Sequence, residues 1–202
     1  MVSRLRLTTA KAVFVVGTMG YNGRQRVGLG MEFEHLDPNE LERWERIEGI
    51  IYDMSPAPSP EHQRLSRQLT LAIGSYLKGK TCELFYSPFD VYLNADEKGD
   101  YVQPDLAVIC DPKMIRDNGC YGAPDWIVEI LSPSTGVKDK TTKLRAYKSA
   151  GVREYWIIDP VHQFVEVHDL YSNVFPTVYG KDETVTVGIF EDLEINLYDI
   201  FE

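Results

Sequence analysis

The stretch Asp125-Trp126-Ile127-Val128-Glu129-Ile130-Leu131 decides the fold. It is short, rich in β-branched and aromatic residues, and apolar at consecutive positions on both alternating faces. Such a run reads as a central strand covered on both sides rather than a half-exposed edge. Ser132-Pro133-Ser134-Thr135-Gly136 breaks it. A helix is expected from about Lys138 to Ala150, closed by Gly151, and then a second strand, Glu154–Ile158, ended by Asp159-Pro160. Strand, helix and strand in that order point to a sheet with a helical crossover.

Upstream, Ser59-Pro60 gives a cap followed by proline at the first helical position. Leu65, Leu69, Ile73 and Leu77 then recur at four-residue spacing, which predicts a long helix ending near Lys78-Gly79 with that stripe in the core. Asp37-Pro38 repeats the start signal and predicts a short helix to about Arg46, followed by a strand over Ile47–Met54. Cys82–Tyr86, Phe89–Leu93 and Tyr101–Ile109 read as strands, with Asn94–Asp100 as a polar loop. Phe164–His168, Phe175–Tyr179, Glu183–Val187 and Glu194–Leu197 read as additional C-terminal strands. The fold class is α/β: a mixed central sheet flanked by helices.

The chain has 202 residues, which fits one domain with a short appendage. Residues 1–31 hold Arg4, Arg6, Lys11, Arg24 and Arg26 and no acid, and are Gly-rich and aperiodic beyond residue 16. They read as a poorly ordered leader or extension, with one edge strand at Lys11–Val16 as the alternative. Residues 32–202 read as the domain. The net charge of −10 therefore hides a more acidic body, which argues against a non-specific nucleic-acid coater. No apolar run approaches the ~20 residues of a membrane span. Cys82, Cys110 and Cys120 are odd in number and without metal-ligand spacing, which points to a reducing cytoplasm.

Three acids sit inside strand-like segments: Asp105 after Pro104, Glu129, and Glu48 in IEGIIYDM. A carboxylate in an apolar strand is costly unless it is paired, hydrogen-bonded or bound to metal. Each alone reads as a strand-end acid. Two on neighbouring central strands can converge on one hard divalent cation such as Mg²⁺ or Mn²⁺. Lys138, Lys140 and Lys143 lie on the helix after Glu129; Lys143 shares a face with Asp139 and Tyr147. They read either as a solvated face or as an ammonium source beside those acids. The histidines lack zinc spacing, and no nucleotide-binding or serine-hydrolase motif is present.

The order Glu48, Pro104-Asp105, Glu129-Ile130-Leu131 and then a lysine resembles the PD-(D/E)XK nuclease superfamily. More narrowly, YDMSPAPSPEHQ, VQPDLAVICDP, GAPDWIVEILSPST and KLRAYKSAGVREYWIIDP resemble the Uma-two group of restriction-endonuclease-like proteins, over roughly residues 37–202. The resemblance implies a restriction-endonuclease-like core, a divalent-metal site and a homodimer acting on DNA. It assigns Asp105 and Glu129 as metal ligands, the Ile130 carbonyl as a further ligand, and Glu48 as a third ligand or water-holding base. The superfamily lysine two residues after the second acid is here Leu131, and Lys143 is the matching cation. Its role would be to orient water or contact phosphate. His62, in the shared PSPEHQ stretch, and Lys140 are candidates to line the substrate groove. The expected activity is Mg²⁺-dependent endonucleolytic hydrolysis, with Mn²⁺ as substitute. The alternative is a non-catalytic interaction or regulatory module on the same fold, which the acidic body favours.

Overall fold

A computed structural model of the chain describes residues 43–54, 57–132, 136–172 and 174–202 in full, and the backbone of residues 14–21 and 24–31. The strands are β1 (Phe14–Tyr21), β2 (Arg24–Met31), β3 (Trp44–Ile47), β4 (Ile50–Asp53), β5 (Glu83–Tyr86), β6 (Val91–Tyr92), β7 (Tyr101–Val102), β8 (Leu106–Ile109), β9 (Ile115–Arg116), β10 (Gly119–Tyr121), β11 (Trp126–Ile130), β12 (Glu154–Asp159), β13 (Phe164–Asp169), β14 (Thr177–Gly180), β15 (Thr184–Thr186) and β16 (Glu194–Asn196). The helices are α1 (Pro60–Leu77), α2 (Gly136–Lys138), α3 (Leu144–Ala150) and α4 (Leu197–Phe201), with a π-helical turn, Asp139–Lys143, joining α2 to α3.

The large sheet runs β14-β13-β12-β11-β8-β5. It is mixed: β11 and β12 are parallel, as a helical crossover requires, and the other pairs are antiparallel. Its strands alternate in which face each side chain serves. Leu106, Val108, Trp126, Val128, Ile130, Trp156 and Ile158 pack with the Leu65–Leu69–Ile73–Leu77 stripe of α1, with α4 and with β15–β16. Ile109, Ile127, Tyr155 and Ile157 pack on the opposite side with Ala146 and Tyr147 of α3 and with the small sheet. That sheet runs β4-β3-β7-β6-β10-β9 and contributes Ile47, Val91, Val102 and Cys120 to this second core.

The α1 boundaries follow the sequence signals. Ser59 Oγ accepts from the His62 amide, Pro60 opens the helix, and Gly79 follows it. Gly151 closes α3 at a φ of 96°, a conformation glycine adopts without strain.

Elsewhere the structure departs from expectation. Trp44–Ile47 is a strand, so no helix continues to Arg46; residues 32–42, where that helix would begin, lie outside the described residues. Ile47–Met54 is not one strand, because a two-residue turn at Glu48-Gly49 folds β4 back on β3. The expected strand Tyr101–Ile109 is cut at Pro104 into β7 and β8, which belong to different sheets. Within 1–31, expected to be irregular, the β1 and β2 backbones pair antiparallel. Cys82 and Cys110 form a disulfide, correcting the expectation of reduced thiols; Cys120 is free and buried. The pairing Glu83↔Ile109 explains the bond, since one further step of register sets Cys82 opposite Cys110. Among the described residues no helix is long and apolar enough to cross a membrane.

Candidate active site

The site lies on the second face of the large sheet, where β8 begins and β11 ends. Glu129 follows Ile127 on that face and is 4% exposed. Asp105 immediately precedes β8. The register Val128↔Leu106, taken one step further, sets Asp105 opposite Glu129. Asp105 Oδ2 accepts from the Ile130 amide at 2.8 Å and binds His62 Nε2 at 3.0 Å. His62 thus reaches from the first turn of α1 to fix the carboxylate's orientation.

The crossover helix supplies the cation. Its π-helical turn carries Asp139 and Lys143, both buried. Such turns insert one residue into the helical ladder and re-aim side chains, often at functional sites. Lys143 Nζ lies 2.7 Å from Glu129 Oε1, 2.8 Å from Glu45 Oε1 and 3.7 Å from Asp139 Oδ1. The Tyr147 hydroxyl, one turn on, donates to Glu129 Oε1 at 2.6 Å. From the small sheet, Glu45 enters fully buried. Its Oε1 accepts from the Gln103 amide at 3.1 Å, and its Oε2 faces Lys138 Nζ at 2.6 Å.

Four carboxylates therefore surround two ammoniums. Burial pushes the Glu129 carboxyl up; Lys143 pulls it down, while Asp139, Asp105 and Glu45 push it up again, leaving it at about 8. Burial also works against Glu45's charge, but Lys143 and Lys138 together hold its pKa below the usual carboxylate value. Burial likewise disfavours the Lys143 ammonium, yet the Glu129, Glu45 and Asp139 charges hold its pKa well above that of a free lysine. For His62, burial lowers and the Asp105 contact raises, and the contact wins. Glu129 therefore holds its proton near neutral pH.

Asp105, Glu129 and Lys143 are brought into one cluster, with His62 and the Ile130 amide attached to it. Two expected members are elsewhere. Glu48 sits on the exposed turn between β3 and β4, at a φ of 52°, and pairs with Arg145 at 3.3 Å. The strand acid in the cluster is Glu45, because the turn at Glu48-Gly49 limits the inward-facing strand to Trp44–Ile47. Lys140 pairs with Glu166 at 2.9 Å and lies over the Phe164 ring, away from Glu45. Lys138 takes the inward position instead. Sequence reasoning also left out Tyr147's contact and Asp139's burial, though both were visible as partners on the Lys143 face.

Among the described residues no three His, Cys, Asp or Glu side chains are arranged to ligate one ion. The donor chemistry nevertheless fits a hard cation. Mg²⁺ is commonly held by one or two carboxylates, with water and substrate oxygens completing its shell. Asp105 and Glu129 are two such carboxylates, set opposite each other by the β8–β11 register.

The comparisons agree with this architecture. A family model described as "Uma2: Putative restriction endonuclease" matches residues 31–197. A solved structure described as a putative nuclease belonging to DUF820, from Anabaena variabilis ATCC 29413, is 26% identical with a TM-score of 0.65, covering 78% of this chain and 89% of that one. An uncharacterized protein of Synechocystis sp. is 32% identical over 123 residues, 57% of this chain and 63% of that relative's length. With a family model spanning the strands and helix that build the cluster, the chain belongs to the Uma2 family.

Proposed function

We propose that the chain is a divalent-metal-dependent endonuclease that hydrolyses phosphodiester bonds in DNA. One observation carries the reading: within the fold of a family described as restriction endonucleases, Asp105 stands opposite Glu129, and the buried Lys143 pairs with Glu129. Asp105 and Glu129 would hold Mg²⁺, or Mn²⁺ in its place, with the Ile130 carbonyl as a further candidate ligand. When bound, the ion supplies a water of lowered pKa and charge stabilisation at phosphorus. One water is consumed: its oxygen bonds to phosphorus, one P–O ester bond breaks, and the departing oxygen takes a proton.

The chain's own residues have separable tasks. His62 and the Ile130 amide hold Asp105 in one rotamer. Lys143 and Tyr147 hold Glu129. Assembly as a homodimer belongs to the same proposal and is read by sedimentation velocity.

A second reading, a non-catalytic module on this fold, has its own support. Glu129 and Lys143 are 4% and 2% exposed, so the acids are already satisfied behind nearly closed surface. The deciding experiment is Mg²⁺ and Mn²⁺ calorimetry on wild type and on Asp105→Ala with Glu129→Ala, with plasmid nicking on the same preparations. Wild-type metal binding and nicking, both lost in the variant, are expected. A wild type that binds no metal would leave the module reading in front.

A further inference from the structure

The two ammoniums at Glu45 differ in what they have left to give. An ammonium has three donors. Lys143 lies within hydrogen-bond distance of Glu129 and Glu45 and faces Asp139 at 3.7 Å, and its side chain is 3% exposed. Enclosed in this way, it presents no exposed face to a phosphate oxygen. Lys138 has one ion-pair partner among the described residues, Glu45 Oε2 at 2.6 Å. Its side chain is 14% exposed, more than that of Lys143, and lies 5.3 Å from the centre of the Tyr52 ring. Among the described residues its only hydrogen-bond partner is that carboxylate oxygen.

We propose that Lys138 is the cation that contacts the substrate phosphate, with Glu45 holding it in place and Lys143 serving as the internal counter-ion of the acids. The inference rests on the nuclease reading and divides its lysine role in two. Glu45 is what makes the division possible: one oxygen anchors each ammonium, so the buried lysine and the phosphate-facing lysine are fixed relative to each other. The contact is electrostatic and sequence-independent, as backbone recognition is.

The test is the salt dependence of binding to a fluorescein-labelled DNA duplex, read by anisotropy with Ca²⁺ in place of Mg²⁺ so that binding is followed without turnover. Each phosphate contact contributes about 0.9 to the slope of log affinity against log salt. Lys138→Ala is expected to lower that slope by about 0.9, and Lys138→Arg to restore it. Lys143→Ala is expected to leave the slope unchanged while lowering the melting temperature. Lys138 is partly exposed, so its variants fold even where Lys143→Ala does not, and they carry the test alone. A Lys138→Ala slope equal to wild type overturns the assignment while the nuclease reading stands. A wild type that binds no duplex overturns that reading and takes the assignment with it.

Discussion

The large sheet buries one glutamate on each face, and the two are held in opposite ways. Glu154, on the α1 face, is 2% exposed and surrounded by neutral donors: Trp156 Nε1 at 2.6 Å and the Ile189 amide at 2.8 Å. Glu129, on the other face, meets an ammonium, a phenol and three further carboxylates. Both pKa values are raised, and burial is the leading cause of each. The first arrangement closes on itself and ties the chain near Gly188 and Ile189 to the sheet. The second is held among charged groups, with the Lys143 ammonium at 2.7 Å and Asp139, Asp105 and Glu45 around it. A raised acid alone therefore does not mark a functional site; a specific charged partner beside it is the added signal.

The sharpest way to break the comparison is to remove the charge from one side. Lys143→Met leaves Glu129 without its ammonium in a water-excluded site, a change of the kind that costs about 3–5 kcal/mol. The lower end is expected, because Glu129 can take up a proton and Glu45 keeps Lys138. Urea denaturation reads it, and a loss under about 1 kcal/mol would mean the acids are not held as described.

On the neutral side, Glu154→Ala strands two buried donors, the Trp156 indole and the Ile189 amide, at about 1–3 kcal/mol for such groups. Metal and DNA binding should be untouched, since the residue lies on the opposite face from Asp105 and Glu129. Any loss of metal affinity in this variant would show that the two faces are coupled.

The same glutamate gives a pH signature. Its pKa in the folded chain lies above the ordinary 4.5, so the folded state binds this proton more tightly than the unfolded state does. Its contribution to stability is therefore complete below the ordinary carboxylate range and declines as pH rises toward the folded value. Glu154→Gln has no such proton, so its melting temperature should fall less steeply over that interval. Parallel profiles for the two proteins would remove Glu154 as the source.

What could be read in advance follows the same division between local and distant causes. The α1 stripe, its Ser59-Pro60 start and the β11–helix–β12 crossover are local patterns, and they are found where expected. Asp105 and Glu129 are legible because an acid inside an apolar strand needs a partner wherever it occurs, whereas Lys143 is singled out among the helix lysines by the family resemblance. Glu45 was hidden by a turn. With Glu48-Gly49 read as strand, the acid on the turn displaced the acid on the strand, although consecutive positive φ at 52° and 78° is what a two-residue hairpin loop uses and glycine permits. Lys138 and Lys140 exchanged places because a π-helical turn is not visible in helical spacing. The Cys82–Cys110 bond depends on strand register across 28 residues, which neither cysteine's neighbourhood reveals.

The smallest expected effect tests that exchange of acids directly. Glu48 meets Arg145 through contacts of 3.3 and 3.4 Å between side chains 48% and 61% exposed. Exposed pairs of this kind are worth about 0–1 kcal/mol, so Glu48→Ala should barely move the urea midpoint. Glu45→Ala removes the buried anchor of two lysines and should cost several times more, about 3 kcal/mol by the buried-pair figure. In the calorimetric titration Glu48→Ala should retain wild-type Mn²⁺ affinity. If Glu48→Ala lost the metal instead, the acid would reach the site in a conformation in which the β3–β4 turn opens. The strand register Ile47↔Ile50 that now holds Glu48 outward would then be the part of the description to give way.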